Sequence, residues 1–548
     1  MAAVPPWLPL TELGVVAALL GSLLGLRWLD RTRDWAHRRR ERLLLGLPWG
    51  SLLCVGGVLL VYLVLQGGLA HWYDPLTIPY RAWSYFYPLG MGLAAFAHGG
   101  PGHLLGNLAA ALVLAPIAEY AWGHYPTGRG ERSFGSPTRN PYVRAFLLFP
   151  AGVVIIGVVT ALFSWGPIIG FSGVVFAFAG FALVRYPLTT VLALVAENLV
   201  RLLVDVLRDP VITAEARPQF VTPWWAGVAT QGHLLGLFLG VVAGALVLDR
   251  SDRPPARRLF LGALLVASSL SLWLVWWYRG GEQYVLYRGL GVILLFLVAA
   301  LITVGLGQRW ADGDLLDVPR RQVAVLLLVF PVLVVGFAAV PLNLVTVADP
   351  TPPGSGEAIH VGDYTVSYAE GVPNQMVSVV NLSAFGETTA VRTSGVIVVS
   401  EDRQVWTQAL SSSRLAFAGQ GRVVVGGVGW RENVSALRRG WTATGNGTAY
   451  LVWLRPPESD ASWRVVYESP PVVAEPVVAG NQVALRPENG SITLELRRNG
   501  STVERTAFLT ENESATLGTL QVVRENASIF AVQGDTKVRV ASRETYEG

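Results

Sequence analysis

Gly170-Phe171-Ser172-Gly173-Val174-Val175-Phe176-Ala177-Phe178-Ala179-Gly180 is the stretch around which the chain is organised. Apolar residues continue to Val184 before the first charge, Arg185, which reads as a helix entering a membrane. A serine between two glycines at the mouth of such a helix has two readings. One is packing: Ser172 bonds its own backbone while Gly173, Ala177 and Gly180 let a neighbouring helix approach. The other is chemistry, and it depends on the polar inventory of the apolar half. His103 and Asn107 open one apolar segment and His233 lies inside another. Polar side chains at membrane depth are costly and face a bundle interior or a water-filled cavity. Serine, histidine and a hydrogen-bond-donating amide are the groups that acyl transfer needs.

The chain has 548 residues, 52% hydrophobic and 15% charged. Soluble domains carry about a quarter charged residues, so much of this chain is built for lipid. The net charge of +4 comes from arginine, Lys537 being the sole lysine. The arginines cluster in short loops between apolar runs, a pattern of membrane topology, and no nucleic-acid partner is expected. The single cysteine, Cys54, can make no intrachain disulfide. No basic residue precedes the first apolar run, while Arg27, Arg31, Arg33, Arg38, Arg39 and Arg40 follow it. That run therefore reads as a helix with an external N-terminus, not as a cleaved leader.

Apolar runs long enough to span lie at 10–28, 44–67, 103–122, 145–164, 169–186, 188–207, 223–248, 258–278, 284–306 and 321–342. The 188–207 run carries Glu197, Arg201 and Asp205 and reads as amphipathic or partly wet. Arg27–Arg42, Arg129–Arg144, Arg185, Arg250–Arg258 and Arg309–Arg321 occupy alternate loops, which are cytoplasmic by the positive-inside rule. Ten crossings then leave the N-terminus and everything after 346 outside the cytoplasm of a multi-pass cell-membrane protein.

Beyond that point the composition turns to Val, Thr, Ser, Gly and Glu. Alternating stretches such as Arg422-Val423-Val424-Val425 and Ser491-Ile492-Thr493-Leu494-Glu495-Leu496 predict an all-β, sandwich-like exported domain. It holds N-x-S/T triplets at Asn381, Asn433, Asn446, Asn489, Asn499, Asn512 and Asn526, whereas Asn107, Asn140, Asn198 and Asn343 start none. A glycosylated domain is expected, on the side that the arginines predict. The expected organisation is an extra helix and basic loop over 1–43, a six-helix core over 44–248, three further helices over 249–346 and the β-rich domain over 347–548.

Glycines in the membrane half are patterned. Gly232, Gly236, Gly240 and Gly244 recur every fourth residue and make one bare face beginning beside His233, and Gly173, Ala177 and Gly180 make a similar strip. Such faces let two backbones approach closely, as a Ser–His hydrogen bond of about 2.6–3.2 Å requires.

Taken together, His98-x4-His103-x3-Asn107, then Gly170-Phe171-Ser172-Gly173, then Gly232-His233-Leu234-Leu235-Gly236 resemble the signature of rhomboid intramembrane serine proteases. The resemblance covers 44–248 and leaves out the first helix, the three after 248 and the exported domain. Glu119 and Gly123 match the family's acidic residue and glycine at the end of the second core helix, a pair read as structural. The resemblance implies that Ser172 is the nucleophile and His233 the general base of a Ser–His dyad. It implies His103, Asn107 and the Ser172 N–H as oxyanion donors, with His98, Gly170, Gly173, Phe176 and Gly236 in support. The implied partners are transmembrane protein substrates within the lipid bilayer, with no cofactor. The exported domain is a candidate binder of substrates or surface proteins.

Two departures stand out. Tyr80-Arg81 and Trp83 lie where the family commonly has a Trp-Arg pair, and Phe176 replaces a tyrosine often found against the base. Two readings from other classes compete: an inactive rhomboid-like binder of membrane helices, and a surface-display or adhesion protein anchored by its helices. No carboxylate or thiolate accompanies His98, His103 and His233, so a metal site is not expected. The remaining histidines, His37, His71, His124 and His360, read as solvated.

Overall fold

The computed structural model describes residues 10–29, 33–126, 128–214, 216, 218–307, 314–315, 318–344, 346–347, 353, 357–376, 383–384, 386–458 and 461–547. By contacts the chain divides into two units: one runs to residue 344 without 218–222 and 278–284, and the other comprises those two segments and 345 onward.

Every predicted apolar run of the first unit contains a helix. These are α1 (Leu10–Leu29), α2 (Trp49–Leu60, continued by a wider turn Val61–Leu65), α3 (Pro101–Trp122), α4 (Phe149–Leu162), α5 (Ser172–Leu183), α6 (Pro187–Arg208), α7 (Thr230–Val247), α8 (Ala256–Ser269), α9 (Arg288–Leu306) and α10 (Arg320–Phe337). Among the described residues, five helical segments are long and apolar enough to cross a membrane: 101–122, 141–162, 230–247, 288–306 and 326–343. The helices Trp49–Leu65 and Ser172–Leu183 are apolar but shorter.

The run 258–278 departs from expectation. Its helix stops at Ser269, and Trp276–Gly280 is strand β1, paired with β2 (Gln283–Leu286). Serine side chains can compete for backbone hydrogen bonds, which disfavours helix through 268, 269 and 271, and Ser271 turns the chain with φ 60°.

Helix ends are closed by side chains distant in sequence. Proline at the first turn starts α3 and α6, where a missing N–H costs nothing. At the end of α3, Arg42 Nη2 donates to Ala121 O at 3.0 Å and Arg144 Nε to Gly123 O at 3.0 Å. These cations meet the negative end of the helix dipole. Glu119 is fully buried and accepts from Gly50 N and Ser51 N at 2.8 Å each and from Ser51 Oγ at 2.6 Å, capping the start of α2. His124 is not solvated as read from the sequence: it is fully buried, its Nδ1 accepts from Leu44 N at 2.8 Å, and Nε2 therefore carries the proton it donates to Glu119 at 2.7 Å. The chain folds back over it at Leu44, which local sequence does not reveal. His37, His71 and His360 are exposed.

Helices α5 and α7 make a backbone-to-backbone contact. A Cβ on Gly236 would lie 2.1 Å from Gly173 O, one on Gly240 2.0 Å from Ala177 O, and one on Gly180 2.1 Å from Leu237 O. No side chain fits at these positions, so both glycine strips face each other. Tyr120 at the end of α3 lies 6.0 Å from Tyr186 beyond α5, and Arg185 pairs with Asp252 beyond α7. The arginine-bearing ends of these helices are thus together, opposite the ends where Ser172 and His233 sit.

The second unit is all β, apart from one short helix (Ser412–Ala418). Besides a two-stranded pair of Ser383–Ala384 with Glu387–Thr388, its strands are β3 (Ile359–Val361), β4 (Tyr364–Pro373), β5 (Arg392–Ser400), β6 (Val405–Ser411), β7 (Gln420–Gly427), β8 (Trp430–Ala443), β9 (Thr448–Arg455), β10 (Arg464–Glu468), β11 (Val472–Val473), β12 (Gln482–Glu488), β13 (Ser491–Arg498), β14 (Ser501–Ala507), β15 (Ser514–Leu517), β16 (Leu520–Glu525), β17 (Ser528–Gln533) and β18 (Thr536–Arg543). They form antiparallel sheets in the orders β6-β5-β4-β3, β10-β9-β8-β18-β17-β16-β15 with β7 also on β8, and β11-β12-β13-β14. Trp441, Leu451, Leu494, Val522 and Ile529 share one buried core between the latter two sheets.

The triplets have a structural use here. Asn489-Gly490 and Asn499-Gly500 are two-residue hairpin turns with positive φ at both positions, and Asn526 opens a third with φ 50°. Asn-Gly is the pair such turns favour. The following serine is simply the first residue of the next strand. Asn433 lies within β8, Asn446 in the turn before β9 and Asn512 before β15. Asn381 lies outside the described residues.

Candidate active site

Ser172 is the first residue of α5, and Gly170 ahead of it takes φ +129°, a conformation L side chains rarely adopt. A Cβ at Gly170 would lie 2.5 Å from His103 Cε1 and 2.6 Å from Nε2, so the missing side chain is also what admits the His103 ring. Gly170 N donates to Ala94 O at 2.8 Å and Ala82 N to Ile168 O at 3.0 Å, fixing the loop that precedes the serine. Behind Ser172, Gly173 fits against Thr160, whose side chain would be 3.1 Å from a Cβ there.

From α7, His233 places Nε2 2.8 Å from Ser172 Oγ. Both residues are half-buried. The Phe176 ring lies flat on the imidazole, with centroids 4.2 Å apart. His233 Nδ1 is buried and meets no hydrogen-bond partner among the described residues, so no carboxylate orients the ring.

The other sequence-selected residues gather beside this pair. Asn107 Nδ2 lies 3.0 Å from the buried His98 Nε2, and Phe171 N points at the same nitrogen from 3.4 Å. Both neighbours are donors, which makes Nε2 an acceptor and Nδ1 the protonated nitrogen of His98. One amide N–H of Asn107 is spent on His98 and the second remains. His103 is exposed and stands edge-on to His98 with ring centroids 5.1 Å apart. The Ser172 and Gly173 amides belong to the first helical turn, whose N–H groups have no intrahelical acceptor. The arrangement offers a nucleophile, a base and several unspent donors at one helix mouth.

Residues 82–250 match the Rhomboid domain family model. The chain carries a rhomboid domain. Comparison with curated proteins and with solved structures finds no match. All three motifs fall within the rhomboid domain, whereas α2, α8, α9, α10 and the β unit fall outside the matched stretch. Tyr80 and Trp83, at its start, are structural: Tyr80 Oη donates to Leu65 O at 2.8 Å and Trp83 Nε1 to Ile78 O at 2.6 Å.

Three amide side chains around the rhomboid site escaped the sequence reading. Gln66 is fully buried, donates to His98 O at 2.8 Å and to Leu76 O at 2.9 Å, and accepts from His98 N at 2.7 Å. Gln231 and Asn343 hold the segment after α4. Their signal was available: each is a lone amide within or beside an apolar run, and a polar group there needs a partner.

Proposed function

We propose that this membrane protein is an intramembrane serine endopeptidase that hydrolyses peptide bonds in or near transmembrane segments of other membrane proteins. The observation that carries the reading is the 2.8 Å contact between Ser172 Oγ and His233 Nε2. In that geometry the hydroxyl proton passes to Nε2 as Oγ attacks the scissile carbonyl. His233 returns the proton to the leaving amine, leaving an acyl-serine. A water then gives its proton to Nε2, its oxygen attacks the ester, and the acid product leaves as the proton goes back to Oγ. With no carboxylate at Nδ1, stacking on Phe176 orients the imidazole. The free N–H of Asn107, the Ser172 N–H and His103 are the donors for the oxyanion, each aimed donor being worth about 2.7–4 kcal/mol.

Placement favours this chemistry. Ser172 begins its helix and therefore lies shallow, where water can enter while acyl chains flank the bundle. The arginine-rich ends lie opposite, which by the positive-inside rule turns the site, the N-terminus and the C-terminal β unit away from the cytoplasm. A substrate helix must unwind there to expose a carbonyl, which favours cleavage near small or helix-breaking residues. The test is cleavage of model transmembrane substrates in liposomes by wild type and Ser172→Ala. Cleavage by wild type alone is expected, and equal cleavage by both would remove Ser172 from the mechanism.

A further inference from the structure

The segment linking α4 to Ser172 is held by a residue from outside the rhomboid domain. A helix leaves its last carbonyls without intrahelical donors, and where they are buried side chains must supply the partners. At the end of α4, Asn343 Nδ2 donates to Leu162 O at 3.0 Å and to Ser164 O at 2.9 Å. Gln231 Nε2 donates to Phe163 O at 2.9 Å, and Gln231 Oε1 accepts from Trp165 N at 2.7 Å. Tyr85 Oη donates to Leu162 O at 2.6 Å, and Tyr85 N to Asn343 O at 2.9 Å. Asn343 is 1% exposed and ends the short turn Val340–Asn343 that follows α10.

The base is tied to the same support. Gln231 stands two residues before His233 on α7, and its Nε2 also donates to Val335 O of α10 at 2.7 Å. Packing reinforces the junction. Phe163 lies edge-on to Phe337 with centroids 6.0 Å apart. The nucleophile loop and the base helix therefore share one buttress, α10 and its terminal turn.

We infer that Asn343 is a positioning residue for the reaction: the appended helix α10 completes the scaffold by holding 162–165, and through it Ser172, in register with His233. The inference rests on the protease reading of that pair. Without the Asn343 amide, Ser164 O and Leu162 O lose that donor, and of the loop's ties to α10 only those through Gln231 and the Phe163–Phe337 contact remain. A misplacement of about 1 Å can cost about a hundredfold in rate, so the loss falls on turnover and not on substrate binding.

The experiment uses full-length protein in liposomes, with cleavage kinetics and the rate at which a fluorophosphonate labels Ser172, which reads the nucleophile without a peptide. Asn343→Ala is expected to lower kcat and labelling per folded molecule by about tenfold or more while KM stays within about twofold. Asn343→Ser, which keeps one donor, should fall between it and wild type, and the Trp165 amide should exchange hydrogen faster in both. Should Asn343→Ala fail to accumulate, Asn343→Ser is judged by the same criteria. Folded variants with wild-type kcat and labelling would overturn the role of Asn343 alone. A wild type that neither labels nor cleaves would overturn the protease reading, and this inference with it.

Discussion

Phe176 covers one face of the His233 imidazole, with planes 16° from parallel and centroids 4.2 Å apart, one helical turn below Ser172 on the same helix. One element thus supplies both Ser172, the proposed nucleophile, and the surface against which its proposed base stacks. Because Nδ1 meets no acceptor among the described residues, ring stacking is, beside the Ser172 contact, what orients the imidazole. Phe176→Ala should lower kcat by about tenfold or more, and Phe176→Tyr, which keeps the ring, should stay near wild type. Steady-state cleavage of a model transmembrane substrate measures both.

Asn107 carries the next prediction. One amide N–H of Asn107 goes to His98 and the second remains, so on the proposed mechanism Asn107→Ala removes an oxyanion donor. The expected loss in kcat is about 10²–10³ with little change in KM. His98→Ala leaves that donor in place but unanchored and should cost less. Kinetics of the two single variants and the double variant decide whether His98 acts through Asn107: if so, the double variant is no worse than Asn107→Ala.

The glycine contact between α5 and α7 predicts a sharp positional contrast. Gly240→Ala puts a methyl 2.0 Å from Ala177 O, a backbone atom that cannot rotate away. It should cost about 1–3 kcal/mol of stability and separate Ser172 from His233. Gly56→Ala on α2 meets nothing within 4 Å and should be close to neutral. Thermal unfolding in detergent and turnover per folded molecule provide the comparison.

In the β unit, acid sensitivity should concentrate on two carboxylates. Burial raises the pKa of Asp363, but hydrogen bonds from Arg403 (2.5 Å and 3.0 Å) and Ser400 (2.9 Å) outweigh it and hold the group below its ordinary value. Glu495 is likewise pushed up by burial and brought lower by Arg486, Arg505 and Thr502. A pKa depressed in the folded state contributes stability that is complete above the unfolded value, about 3.9 for Asp and 4.3 for Glu, and is lost as pH falls through the folded value. Protection of amides in 392–411 from hydrogen exchange, relative to the intrinsic rate at each pH, should therefore fall as the pH is lowered through that range. Asp363→Asn should weaken the unit at pH 7 and flatten this acid dependence.

The Asn-Gly turns separate a folding role from a glycan role. Asn489 and Asn499 sit at φ 53° and 50°, where a β-carbon is strained. Asn489→Gly should leave stability near wild type, whereas Asn489→Ala should cost about 1–2 kcal/mol. Urea unfolding of protein from a host without N-glycosylation measures this backbone term by itself.

Sequence by itself determined the parts that neighbouring residues specify. Apolar length located the helices, alternation the strands, and glycine spacing the two faces that let Ser172 meet His233. The motif residues were legible because polar groups stand out in apolar runs. Only the tertiary structure decided which partner each buried polar group has. Glu119 and His124 meet Gly50, Ser51 and Leu44, Gln66 holds His98, and Asn343 reaches back to Leu162 and Ser164. It also decided where α8 ends and that three glycosylation-like triplets serve as turns. The physical reason is that a hydrogen bond is worth little until its site is sealed from water, and sealing is the work of residues far away in the chain.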